Sequence, residues 1–262
     1  MTYINTCKKG QPRVMIAALV SNQANCLDRF LSEVDNLNYP KEFITYAFLT
    51  GNNDDNTYDI LAEFEQKHQG NLPWDSSKGR VWLKGFDLDK NNGTRFSRLA
   101  TLRNMLIDQA LRNEDYVLMI DSDIVHIPDN LITELMSAMK EAEADVVAPL
   151  IFIEEFREFG NTYFYDRLAF IKDGINFDHF YPYIPGYIAL PDKPVFVDSV
   201  GACYLVSANV FRAGARCIPE IGDVSEQVTF CMDVRKYGFK IAVHPQLGVL
   251  HFNGEPHGIA FV

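Results

Sequence analysis

No stretch of this 262-residue sequence approaches the roughly 18 apolar residues that a membrane-spanning helix requires, and its opening, MTYINTCKKGQPR, has no hydrophobic signal core. These absences argue against an integral membrane segment and lead to the expectation of a cytoplasmic chain, lumenal only if an anchor lies outside this sequence. Positive charge is also scarce: 24 Lys and Arg stand against 35 Asp and Glu, a formal net charge of −11. That balance excludes a broad electrostatic footprint for nucleic acid while leaving room for a local basic pocket around a small phosphate ligand. There is no GxGxxG after the first strand-like segment and no GxxxxGK[ST] anywhere, so a dinucleotide dehydrogenase and a P-loop NTPase both lack their phosphate cradle. The five cysteines (Cys7, Cys26, Cys203, Cys217, Cys231) are odd in number and show neither CxxC nor zinc spacing. They read as free thiols in a reducing compartment. Internal repeats, low-complexity tracts and flexible linkers are likewise missing.

What is present is a hydrophobic content of 47%, ample for the core of one large α/β domain. Strand-like runs (Arg13–Val20, Ile44–Thr50, Arg80–Phe86, Tyr116–Ile120, Asp145–Ile153) alternate with helical stripes such as Leu27, Phe30, Leu31, Val34, Leu37 and Phe96, Leu99, Leu102, Leu106, Ala110. Alternation of this kind predicts a mainly parallel sheet with helices on its faces. Ligands of such sheets bind at the carboxyl ends of the strands. Here those ends carry Ser21-Asn22, Gly51-Asn52-Asn53-Asp54-Asp55 and Asp121-Ser122-Asp123.

The run YVLMIDSDIVHIP (residues 116–128) places two carboxylates at the end of a strand buried on both faces. Two readings stand side by side. The acids could cap the helix beginning near Pro128-Asp129-Asn130-Leu131, or they could hold a divalent cation between the protein and a diphosphate, since Mg²⁺ and Mn²⁺ prefer oxygen ligands and keep positions open for phosphate. Asp54 and Asp55 carry the same choice between a turn and helix cap before Thr57 and contact with a nucleotide. From Phe152 to Tyr187 twelve of 36 residues are aromatic, against 13% for the whole chain. This reads as a mini-core under a long loop, or as a platform on which a sugar ring stacks. A strand and helix follow in VFVDSVGACYLVSANVFRAG, a helix near Ser225–Tyr237, and one or two short strands in KIAVHPQLGVLHFNG.

Five segments carry a resemblance in order along the chain: DNLNYPKEFITYAFLTGNNDDNTYDIL, VLMIDSDIVHIPDNLI, ADVVAPLI, VGACYLVSANVFRAGA and RKYGFKIAVHPQLGVLHF. They are similar to segments of the Anp1/Mnn9/Van1 mannosyltransferases, within the glycosyltransferases of GT-A fold. The resemblance implies a single domain over residues 1–262, with a nucleotide-sugar half to about residue 150 and an acceptor half after it. It implies a DxD motif at Asp121-Ser122-Asp123, with Asp123 on Mn²⁺ or Mg²⁺, Asp121 facing the ribose or a metal-bound water, and His251 completing the metal shell. Donor contacts are implied for Ala18, Val20, Ser21, Asn52, Asp54, Ser122 and Arg103, the last preferred over Arg98. On the acceptor side Glu226 matches the first acid of a pair whose second position is Gln227, which has no ionisable proton acceptor. Either Glu226 or Asp223 then supplies the base, or the reaction retains configuration. Gly201-Ala202 is implied to line the acceptor pocket. The activity implied is transfer of a hexose from a GDP- or UDP-sugar to a glycan or glycoprotein hydroxyl, by a homo- or hetero-oligomer if it follows relatives that work in complexes. A different class of function, an inactive sugar-nucleotide- or carbohydrate-binding subunit, stands beside it.

Overall fold

A computed structural model describes residues 10–69, 80–86, 93–153, 163–176 and 191–252. Most of the aromatic stretch, and Cys7, lie outside the described residues. In chain order the elements are β1 (Val14–Val20), α1 (Leu27–Asp35), β2 (Ile44–Gly51), α2 (Thr57–Gln69), β3 (Arg80–Phe86), α3 (Arg95–Ala110), β4 (Tyr116–Ile120), β5 (Ile124–His126), α4 (Leu131–Ala142) and β6 (Val146–Ile153). They continue with β7 (Tyr163–Phe164), β8 (Ile171–Lys172), β9 (Ile175–Asn176), β10 (Val195–Phe196), β11 (Cys203–Ser207), α5 (Ala208–Arg212), α6 (Glu226–Lys236) and β12 (Ile241–His251). The five strands expected in the first 153 residues are all present, each end within one residue of expectation. The distal one or two strands are a single eleven-residue strand whose register shifts between His244 and Gly248, where Pro245 has no N–H to give the ladder.

The central sheet runs β10-β12-β6-β11-β4-β1-β2-β3, with β5 paired to β12 and β7 to β6. Strands β1, β2, β3 and β4 are mutually parallel, as are β6 and β12; β11 lies antiparallel between β4 and β6. The carboxyl ends of β1, β2, β4, β6 and β12 therefore meet on one edge, and the reversed β11 starts there.

Period-two alternation divides the strands between two cores. On β1, Val14, Ile16, Ala18 and Val20 face the cluster that includes Leu27, Phe30 and Val34 of α1 and Leu131 and Leu135 of α4. Met15 and Ala17 face the cluster with Leu102 and Leu106 of α3 and Phe230 and Val234 of α6. Each fully buried aliphatic side chain contributes about 1.5–3 kcal/mol, so among the described residues the central strands commit both faces to packing and leave their carboxyl edge to bind.

One polar cluster inside the first layer joins α1 to α2. His68 is 4% exposed, its ring stacks on Phe64 with centroids 4.1 Å apart, and both its nitrogens face oxygen, Asp35 Oδ1 at 2.9 Å and the Phe64 carbonyl at 2.9 Å. Lys67 Nζ donates to the other Asp35 oxygen at 2.9 Å. The His68 hydrogen bond, helped by Lys67 and against the effect of burial, holds the Asp35 carboxyl well below the usual carboxylate range. A depressed carboxylate stabilises the fold fully above its unfolded pKa near 4 and loses that contribution as pH falls through the folded value. Asp35→Asn is expected to cost about 2 kcal/mol at neutral pH and to flatten the acid limb of a melting-temperature profile below pH 4. An unchanged acid limb would show that Asp35 is not the group responsible.

Candidate active site

Strand β4 stops at Ile120 and Asp121-Ser122-Asp123 turns the chain straight into β5, which pairs with the end of β12. That intervening strand removes the helix-cap reading of the two acids; α4 begins at Leu131 behind Asn130, which makes no side-chain capping bond. The pairing brings His251 onto Asp123: Nε2 lies 3.1 Å from Oδ2, and Phe252 N–H donates to the Asp123 carbonyl at 2.7 Å. Nδ1 of His251 faces the Phe252 carbonyl at 2.8 Å, so a proton on that nitrogen leaves Nε2 as the one turned to the carboxylate. Burial alone would lower the His251 pKa, but the Asp123 hydrogen bond and the charges of Asp123 and Asp121 raise it.

The other Asp123 oxygen, Oδ1, is buried with no hydrogen-bond partner. An orphaned carboxylate oxygen is costly in a folded protein and asks for an explanation, of which an ion is one. The residues fit a divalent cation of the Mn²⁺ type, a hard carboxylate beside an imidazole. Among the described residues no three His, Cys, Asp or Glu groups converge to hold a metal. Asp123 and His251 would thus supply the protein ligands, with water and diphosphate oxygens as the remainder.

Asp121 is placed differently. Its Oδ1 accepts from Arg103 Nη2 at 2.6 Å and its Oδ2 from Gln227 Nε2 at 3.2 Å, while Arg103 Nε donates to Glu226 Oε1 at 2.9 Å. Arg103 is 4% and Glu226 3% exposed. Burial works against the guanidinium charge, and the Asp121 and Glu226 carboxylates outweigh it, raising the Arg103 pKa. Helix α3 is held in the register that delivers Arg103 by three hydrogen-bonding residues. Thr94 Oγ1 donates to the Gly222 carbonyl at 2.7 Å, Ser97 Oγ to the Pro219 carbonyl at 2.7 Å, and Asn104 bonds both backbone groups of Cys217 at 2.9 Å. Arg103 is therefore tied to Asp121 and Glu226 rather than presented as a free cation, and Arg98 donates to the Gly93 carbonyl. Glu226 is buried with Oε1 engaged by Arg103, and Asp223 is exposed on the turn before α6.

The remaining expected donor residues divide. Ala18 and Val20 are 0% and 1% exposed inside the first core, so their side chains cannot meet a nucleotide. Ser21 is exposed at the edge, its hydroxyl donating to the Gly51 carbonyl at 2.9 Å. Ser122 is 4% exposed and spends its hydroxyl on the Leu19 carbonyl at 3.1 Å, a tie between β4 and β1 rather than a ligand contact. The loops after β1 and β2 are laced by side chains: Asn22 N–H to Asn53 Oδ1 at 3.0 Å, Asp54 N–H to Asn22 Oδ1 at 2.7 Å, and Ala24 N–H to Asp55 Oδ2 at 3.0 Å. Asn22 and Asn52 both take left-handed backbone, which asparagine tolerates. Asp55 Oδ1 also accepts from Thr57 N–H at 3.0 Å, as expected of a turn and cap. At Gly201 the obstacle to a side chain is protein: a Cβ would lie 2.6 Å from Ala169 Cβ and Gln227 Oε1 and 3.0 Å from Asp166 Oδ1.

Two residues beside the site were not singled out by sequence. Tyr165 lies flat on His251, ring centroids 3.7 Å apart and planes at 19°. Asp166 is 7% exposed, its Oδ2 accepts from Gly201 N–H at 3.0 Å, and burial pushes its carboxyl up to about 8. The one available signal was a lone acid inside the aromatic run YFYDRLAF.

Comparison with known proteins agrees with this architecture. The chain is 30% identical over 155 residues to the mannan polymerase II complex anp1 subunit of Schizosaccharomyces pombe, covering 53% of this chain and 35% of that protein; the chain thus spans about a third of that relative's length. Among solved structures it resembles the mannosyltransferase PcManGT from Pyrobaculum calidifontis in complex with GDP-Man and Mn²⁺ (TM-score 0.60, 11% identity, 93% of this chain and 57% of that one). It also resembles residues 1–349 of S. aureus TarS in complex with UDP-GlcNAc (TM-score 0.61, 15% identity, 93% and 59%). At such identities these two likenesses establish the fold, that of the GT-A glycosyltransferases. The Anp1 family profile matches residues 2–176, two thirds of the sequence, and the chain belongs to the Anp1 family.

Proposed function

We propose that this chain is a metal-dependent glycosyltransferase that moves a hexose, mannose or one like it, from a GDP- or UDP-sugar to a hydroxyl of a glycan or glycoprotein. The observation that carries the reading is the Asp123–His251 pair, with a buried unpartnered carboxylate oxygen, at the carboxyl edge of the sheet. Asp123 and His251 would hold Mn²⁺, which when bound supplies Lewis-acid neutralisation of the departing diphosphate. The Phe252 carbonyl fixes the ring of His251, and the Arg103–Asp121–Gln227 bonds fix the second carboxylate where a ribose or metal-bound water would lie. Ser21, Asn52 and Asp54 stand on the loops over which the nucleotide would run.

The second reading, a sugar-nucleotide-binding subunit without turnover, is favoured by Gln227, which has no ionisable proton acceptor, and by Glu226 being held on Arg103. Both readings predict donor binding. A thermal-shift screen of GDP, UDP, GDP-mannose and UDP-glucose with Mn²⁺ is expected to stabilise the wild-type protein by about 2.7 kcal/mol at 100 times Kd and to lose the effect in chelator. Turnover by the stabilised protein selects the first reading, binding without turnover the second, and absence of any nucleotide effect rejects both.

A further inference from the structure

Tyr165 and Asp166 are adjacent in sequence, and each reaches a different carboxylate of Asp121-Ser122-Asp123. Tyr165 does so through His251, on which its ring is stacked at 3.7 Å and which pairs with Asp123 at 3.1 Å. Asp166 does so through the Gly201-Ala202 turn: its Oδ2 accepts from Gly201 N–H at 3.0 Å, and the carbonyl of Ala202 accepts from Asp121 N–H at 2.7 Å. A second connection runs through Gln227, whose Oε1 lies 2.6 Å from where a Cβ on Gly201 would stand and whose Nε2 donates to Asp121 Oδ2 at 3.2 Å. Ala202 is held at φ +53°, a left-handed backbone that alanine adopts only where its surroundings impose it. The buried hydrogen bond from Gly201 to Asp166 is one such imposition.

The pair is itself fixed to the sheet. Strand β7 adds to the end of β6, Tyr165 N–H donates to the Ile151 carbonyl at 2.8 Å, and Phe170 N–H donates to the Asp166 carbonyl at 2.7 Å. Phe164 anchors the segment between Phe152 and Phe170, ring centroids 6.3 and 5.5 Å away. Because β6 also pairs along β12 as far as His251 with Ile153, one rigid corner carries Tyr165, Asp166 and the histidine together.

We infer that Tyr165 and Asp166 form a positioning element that sets the two carboxylates and His251 in the geometry a divalent cation and its nucleotide need. This rests on the donor-site reading above. Groups that orient ligands from behind typically alter metal affinity by about 10–100-fold when removed. The test is the Mn²⁺ concentration that gives half-maximal thermal stabilisation of each protein by saturating GDP or UDP. Tyr165→Leu and Asp166→Ala are expected to raise it by about 10–100-fold, whereas Tyr165→Phe, which keeps the ring, and Asp166→Asn, which keeps an oxygen for Gly201 N–H, recover most of the response. Tyr165 is 38% exposed, so Tyr165→Leu folds even if Asp166→Ala does not. Should the wild type respond to Mn²⁺ and nucleotide while Tyr165→Leu, and Asp166→Ala where it folds, match it, the positioning role is overturned and the donor site stands. Wild type without any response overturns the donor-site reading and this inference with it.

Discussion

Replacing Arg103 by leucine is expected to destabilise the protein by about 3–5 kcal/mol, the usual result of removing one partner from a buried ion pair. The guanidinium joins three elements: it stands on α3, binds Asp121 after β4 at 2.6 Å, and binds Glu226 at the start of α6 at 2.9 Å. Leucine would leave Glu226, whose side chain is 4% exposed, with a buried charge and no counter-ion, and would free Asp121 to repel Asp123. Lysine is expected to recover only part of the loss, because a single ammonium cannot offer the two separated N–H groups that Arg103 gives to two carboxylates. Urea denaturation of the three proteins measures this directly. A loss below about 1 kcal/mol for Arg103→Leu would mean that the network relaxes by taking up water or protons and that its three charges are not mutually dependent.

Asp123→Asn is expected to act in the opposite manner, with a small effect on stability and a large one on ligand response. Its partner His251 is 12% exposed and Asp123 itself 26% exposed at the side chain, and because asparagine keeps an oxygen to face the imidazole, the loss is expected to be about 1 kcal/mol. The buried Oδ1 makes no hydrogen bond to lose. Removing the charge, however, removes a direct ligand, and since groups merely behind a ligand cost about 10–100-fold, at least about a 100-fold weakening of Mn²⁺-dependent nucleotide binding is expected. Calorimetric titration of GDP and UDP with Mn²⁺, set beside a melting curve, separates the two effects. Retention of wild-type metal dependence would place the cation elsewhere.

The contrast between these variants follows from where each carboxylate obtains its partners. Asp121 has its needs met by protein, so its surroundings are part of the fold. Asp123 does not, so its remaining capacity is available to a ligand. The spacing in DSD treats the two acids alike, and only the family resemblance gave them different roles.

The chain's hydrophobic runs were sufficient to mark β1, β2, β3, β4 and β6 to within a residue, because strands buried on both faces carry few polar side chains, whereas the short strands β5 and β7 to β10 have no such run to show them. The same logic pointed to the sheet edge where polar residues follow each strand, and the carboxyl ends of those strands do meet there. Local spacing also separated Arg103 from Arg98, which a helix turns to different faces. Long-range partners were beyond local pattern: the Arg103 bonds to Asp121 and Glu226, the burial of Ala18, Val20 and Ser122, and the stacking of Tyr165 on His251 all depend on which strands lie beside which. The antiparallel placement of β11 between β4 and β6 decides that Gly201-Ala202 abuts Asp121, and the pairing of β5 with β12 decides that His251 meets Asp123. Sequence by itself thus determined the main strands and helices, the family, and which polar residues follow the strands, since these follow from hydrophobic period and ordered motifs. Tertiary structure decided that both oxygens of Asp121 are bonded by protein while Asp123 keeps one oxygen without a partner, because charge compensation in a protein interior is a matter of ångströms between residues far apart along the chain.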